Sequence, residues 1–122
     1  MIKVLIKANA RYPVNRKKIR ALVKDVLGKH GLEKDIEVSI LIAGDRKMKA
    51  LNSQYRKINK PTNVLSFPLK ENKFPDKTLR LGDIAVSFPQ ARKQAAEENI
   101  LLDEEINRLI KHGLLSLLGL EE

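Results

Sequence analysis

Ile2, Val4 and Ile6 alternate with Lys3, Leu5 and Lys7 at the start of the chain, the period of a strand that turns one face to a core. Beyond Pro13, Ile19, Leu22, Val23, Val26 and Leu27 recur at helical spacing, with Asn15 as N-cap and Gly28 together with Gly31 as the stop. A second alternation, Ile36, Val38, Ile40 and Ile42 against Glu37, Ser39 and Leu41, predicts a strand ending at Gly44. Asp45 is then placed to cap a short helix marked by Met48, Leu51 and Tyr55. Asn63 to Phe67 and Leu81 to Ser87 are β-prone runs separated by the Pro- and Lys-containing stretch from Pro68 to Thr78, which predicts neighbouring strands joined by a long exposed loop. Ser87 as cap, with Pro89 in the first turn, opens a helix that runs through ARKQAAEE to Glu98, where Asn99 weakens it.

The last helix has the clearest pattern. Asp103 is its expected cap, Glu104 and Glu105 suit its N-terminal dipole, and Ile106, Leu109, Ile110, Gly113, Leu114, Leu117 and Leu118 form one apolar stripe, with Gly119 at C′. A stripe this continuous predicts a central, largely buried helix. The order β-α-β-α-β-β-α-α gives an α+β class, a mixed sheet of about four strands packed by helices, as one domain over 1–122.

Charge adds a partner to this picture. Lysine and arginine number 24 against 15 acidic residues, a formal net charge of +9, which favours a polyanion, nucleic acid first. The competing explanation is a lysine-rich surface of the kind found in heat-adapted proteins. The absence of cysteine excludes disulfides and thiolate metal sites, leaving imidazole and oxygen as metal donors, and fits a cytoplasmic protein. MIKVLIK alternates instead of forming an apolar leader, and no apolar run approaches the roughly 20 residues of a membrane span, so neither a signal peptide nor an anchor is expected.

Three blocks, LNSQYRKINKPTNVLSFP, LGDIAVS and HGLLSLLGLEE, occur in that order between Leu51 and Glu122. Together they resemble the signature blocks of the YbeY-type rRNA maturation factors, a family of metal-dependent endoribonucleases; the earlier elements agree in pattern only. The resemblance implies a hydrolase fold acting on RNA in ribosomal RNA maturation and ribosome quality control. It also implies zinc held by a histidine, a second histidine one helical turn later and a third past the helix-ending glycine. Residues at i and i+4 stand about 5–6 Å apart at Cβ, so two imidazoles can meet one ion. Three protein ligands leave a position for water, which the ion acidifies.

Here those positions hold His112, Ser116 and Glu122. Serine is not among the usual zinc ligands, so zinc is expected to be weak or absent, and magnesium or manganese, which prefer oxygen, suit His112 and Glu122 better. His112 is the implied metal ligand or acid/base; its bland alternative is a hydrogen-bonded histidine at the edge of the stripe. Arg56 matches the family arginine that engages the substrate phosphate, and its planar fork can bind two phosphoryl oxygens. Lys57, Lys60, Thr62 and Asn63 fall in the same loop and can contact RNA backbone. Asp83 of LGDI could orient Arg56 or a metal-bound water, or bond to loop backbone. Phe67, Phe74 and Phe88 could stack bases, although strand phenylalanines are more often core. His30 reads as a helix-terminal charge.

Two functions follow. One is a YbeY-like endoribonuclease acting on single-stranded RNA, with Arg56 and His112 catalytic and ribosomal RNA or the ribosome as partner. The other is a catalytically degenerate RNA- or ribosome-binding module that has lost the metal site.

Overall fold

The computed structural model describes residues 1–31, 35–57, 62–69 and 78–120. The alternating segments form β1 (Ile2–Ala8) and β2 (Ile36–Ala43), and the helical pattern between them forms α1 (Arg16–Lys29). Then come α2 (Asp45–Arg56), β3 (Val64–Pro68), β4 (Leu79–Ser87), α3 (Phe88–Glu98) and α4 (Leu102–Leu117). This is the expected α+β order. The four strands make one mixed sheet, ordered β1-β2-β4-β3, with β1, β2 and β4 parallel and β3 antiparallel to β4.

Strand parity divides the residues between two faces. Val4, Val38, Ile40, Ile84 and Val86 share a core with Ile19, Val23 and Leu27 of α1 and with Ile106, Leu109, Ile110 and Leu114 of α4. The other face is covered by α2 alone among the described helices: Met48 is fully buried against Ala43, Leu65 and Ala85, with Leu41, Leu51 and Phe67 around them. Asn52, on the same helix, is buried as well. The α4 stripe is buried through Leu114 as its spacing requires, while Leu117 and Leu118 are half-buried at its end. Along its length α4 touches α1, α3, β3 and β4, so it is the central helix of the fold.

Helix ends depart from expectation in three places. Gly28 lies inside α1, which runs on to Lys29 and His30; Gly31, with φ of 72°, is the stop, because only the later glycine adopts the left-handed conformation. Gly44, not Asp45, is the N-cap of α2; the Asp45 carboxylate instead accepts from Ser87 Oγ at 3.2 Å and Gln90 Nε2 at 3.1 Å, joining the starts of α2 and α3. Leu101, not Asp103, precedes α4, so Asp103 falls in the first turn and acts on the dipole without capping. The Asn15 and Ser87 caps form as expected, on Lys18 N at 3.0 Å and Gln90 N at 3.1 Å.

In β4 the pairing with β2 passes from Glu37–Arg80 to Val38–Gly82, leaving Leu81 as an extra residue. Gly82 has φ of 136°, and a Cβ there would strike the carbonyl oxygen of Phe67 across the β3 pairing. Both conditions call for glycine.

Candidate active site at the edge of β3

The site begins with where α2 ends. Met48 anchors this helix on the sheet, and its last residue, Arg56, emerges beside edge strand β3. Lys57 closes the helix in a left-handed conformation, φ 56°, donating its N–H to the carbonyls of Asn52 and Ser53. That tight ending turns the chain at Arg56 and leaves its guanidinium exposed.

On the opposite side of β3, α4 lies close against the sheet because Gly113 faces Ile84; a Cβ at 113 would come within 2.8 Å of Ile84 Cγ2. His112 precedes this contact and is exposed, and Ser116 follows one turn later, half-buried. Arg56, Ser66, His112 and Ser116 line one recess of about 380 Å³. Arg56 and His112, 56 positions apart in the sequence, thus reach one cavity from two helices.

Ser66 was not singled out from the sequence. Its hydroxyl donates to Ser116 Oγ at 3.0 Å, so the residue standing in place of an imidazole is tied to β3. The available signal was parity: in the LSFP run, Ser66 must face opposite to Phe67. Asp83 pairs with Phe67 and lies on the α2 side of the sheet, not in the recess, so it does not join Arg56 and His112 there. Phe88 is buried and stacked on Tyr12 at 4.9 Å, the core role and not the base-stacking one. Thr62 and Asn63 are half-buried, with Asn63 O accepting from Ser87 N at 2.8 Å; neither lines the recess, nor does Lys57. Lys60, Phe74 and Glu122 lie outside the described residues.

Glu105, expected at the N-terminal dipole, is in the first turn of α4 but fully buried. Both its oxygens accept from Arg108, at 2.6 Å from Nε and 2.7 Å from Nη2. That hydrogen bonding, more than the accompanying charge attraction, holds the Arg108 pKa above its ordinary value against the opposing effect of burial. The i,i+3 spacing was visible in the sequence; the inward turn of the carboxylate was not.

A three-ligand zinc site needs donors that converge. Among the described residues no three His, Cys, Asp or Glu side chains do so, His112 is the sole imidazole of the recess, and the Ser116 hydroxyl is engaged by Ser66. The described donors do not fit the zinc set that the sequence resemblance implies.

A mixed sheet with one central buried helix, and an arginine and a histidine meeting at its edge strand, defines an α+β protein with a recess lined by one guanidinium and one imidazole. Comparison with known proteins gives the family. Residues 5–122 match the family described as Endoribonuclease YbeY. Over 106 residues the chain is 39% identical to Endoribonuclease YbeY of Persephonella marina, covering 87% of this chain and 69% of that protein. Over 117 residues it is 41% identical to Endoribonuclease YbeY of Aquifex aeolicus, covering 96% and 75%. The solution structure of TM1509 from Thermotoga maritima shares the fold, with a TM-score of 0.63 at 24% identity over 96% of this chain and 71% of that one. The chain belongs to the YbeY family.

Proposed function

We propose that this chain is a YbeY-type endoribonuclease acting on single-stranded RNA in ribosomal RNA maturation and ribosome quality control, in the cytoplasm. The observation that supports it is the meeting of Arg56 and His112 in one recess. Arg56 binds two oxygens of the scissile phosphate and stabilises the charge that develops on them. His112 accepts a proton from the attacking oxygen or returns one to the leaving oxygen, a task imidazole performs near neutral pH. Lys57, Lys60, Thr62 and Asn63 steady the flanking backbone.

None of these steps runs through a metal. Zinc is held weakly or not at all, since one imidazole does not make a zinc site; magnesium or manganese, met by His112, Glu122 and water, is the more suitable ion. The second reading, an RNA- or ribosome-binding module without cleavage, draws its support from the Ser66–Ser116 hydrogen bond, which occupies the position of the second ligand.

Cleavage of a labelled single-stranded RNA, followed with and without added magnesium, manganese or zinc, separates the two. The enzyme reading expects cleavage that falls by about 10²-fold or more in His112→Ala, and RNA affinity that drops in Arg56→Ala. Tight, salt-sensitive binding without cleavage under any metal condition establishes the module instead.

A further inference from the structure

The α2 side of the sheet holds a second and larger groove, about 730 Å³, that the cleavage reading does not use. Its floor is a row set by strand register: Leu5 pairs with Ser39, Ser39 with Asp83, and Asp83 with Phe67. At a spacing of about 4.8 Å between strands, this row crosses the sheet over about 14 Å. Helix α2 covers the neighbouring row, Leu41, Ala85 and Leu65, and reaches this one at Phe67, through Tyr55. Leu5 is 41% exposed and Tyr55 59% exposed, with the Tyr55 ring 4.7 Å from that of Phe67 at 49°.

We infer that this groove is the binding site for the unpaired nucleotides flanking the scissile phosphate, with their bases turned to the sheet and their phosphates to its rim. The inference deepens the RNA reading and rests on it.

The distribution of charge sets the orientation. Lys7, Arg20 and Lys47 stand along the groove, whereas the exposed charged group on its floor is the Asp83 carboxylate. A phosphodiester laid on the floor would meet that carboxylate; a base laid there meets apolar surface and an acceptor for its exocyclic amino group. Tyr55 and Phe67 offer a ring pair with one open side, the kind of platform on which bases stack with little regard to sequence. Bases in a duplex are not free to turn inward, so the site selects single strands.

The groove is continuous with the recess at two pairs of neighbouring residues. Tyr55 immediately precedes Arg56 on α2, and Phe67 immediately follows Ser66 on β3. Ser66 and Arg56 line the recess, whereas Phe67 and Tyr55 line the groove. One strand of RNA with a phosphate at Arg56 need only cross edge strand β3 to bring its next bases to Tyr55.

Tyr55 can be made its own reporter, because the chain has two tyrosines and no tryptophan. In Tyr12→Phe, all tyrosine emission comes from Tyr55. Titration with single-stranded RNA oligonucleotides of increasing length, at fixed low salt, is expected to quench that emission once the oligonucleotide extends from recess into groove. Affinity should rise over the same lengths, and Tyr55→Ala should remove roughly fivefold to a hundredfold of it. Lys47→Glu should weaken the long oligonucleotides and spare the shortest, whereas Lys93→Glu on the exposed side of α3 should treat all lengths alike. Binding that depends on Arg56 but leaves Tyr55 emission and the Tyr55→Ala affinity unchanged overturns the groove and leaves the recess reading standing. Failure of every oligonucleotide to bind overturns both. Capture of a lysine-rich peptide in an Asp83-dependent manner, with RNA affinity insensitive to Tyr55, gives the groove to a protein and likewise overturns the proposal.

Discussion

Replacing Gly113 by alanine sets two opposed effects against each other. A glycine inside a helix costs about 0.8–1 kcal/mol relative to alanine, so the substitution alone should stabilise α4. The new methyl, however, would sit 2.8 Å from Ile84 Cγ2, 3.3 Å from Cγ1 and 3.4 Å from Cδ1. Ile84 is fully buried, and its Cγ2 is held by a branched Cβ with few rotamers, so it cannot swing clear. An ordinary carbon contact needs about 3.5–4.0 Å, so helix or strand must give by roughly 1 Å. Overpacking of that kind costs about 1–3 kcal/mol. The difference is a net destabilisation of about 1 kcal/mol, or about 3–5 °C in Tm for a domain of this size. Urea denaturation with the midpoint and slope both fitted measures it. Gly28→Ala is the control: it sits in α1 with nothing within 4 Å of its built Cβ and should stabilise by about 0.5 kcal/mol. A cycle with Ile84→Ala should show that truncation costs less in the Gly113→Ala background than in the parent. If Gly113→Ala stabilises as much as Gly28→Ala, the close seating of α4 on β4, and the placement of His112 derived from it, are refuted.

Arg108→Ala should cost about 2 kcal/mol, since it strands the Glu105 carboxylate in the core, and adding Glu105→Met should return part of that loss; thermal or urea unfolding of the single and double variants checks both. Ser87→Ala removes the α3 cap and the partner of Asp45, and an unfolding loss of about 1–2 kcal/mol is expected; no loss would mean the cap is dispensable. Ser116→His places a second imidazole one turn from His112 and should raise zinc uptake, measured by metal analysis after dialysis, above that of the parent chain, further so with Glu122→His. Stoichiometric zinc retained by the parent would contradict the donor count.

The fold was legible because its signals were redundant. Alternation in Ile36–Ile42, the helical stripe of α4 and the capping residues Asn15 and Ser87 each report a local preference that the tertiary structure also satisfies. What escaped is what only packing decides. Asp45 and Asp103 have the chemistry of N-caps, yet each helix starts a residue or two earlier and leaves them to a neighbouring helix or to the dipole. The recess was half legible: the motif blocks gave Arg56 and His112, whereas Ser66 emerges only when β3 is given a partner and a phase. For the same reason the motif left Asp83 open between orienting Arg56 and a structural bond, since a motif in sequence carries no face until its strand is registered, here on the α2 side.

The extra residue in β4 has a consequence for how this chain tolerates change. Leu81 shifts the alternation of the strand by one step, so that Arg80, bonded to Glu37 at 3.1 Å, and Asp83 share a side although an odd number of positions separates them. The bulge is a phase boundary. Downstream of it Ile84 and Val86 keep their appointment with the core whatever happens upstream, and Gly82 clamps the boundary by admitting only a bare backbone beside Phe67. Insertions or deletions before Leu79 can be absorbed in the approach to the strand, and loss of Leu81 itself would only remove the bulge, leaving Leu79, Ile84 and Val86 in phase with Ile36, Ile40 and Ile42.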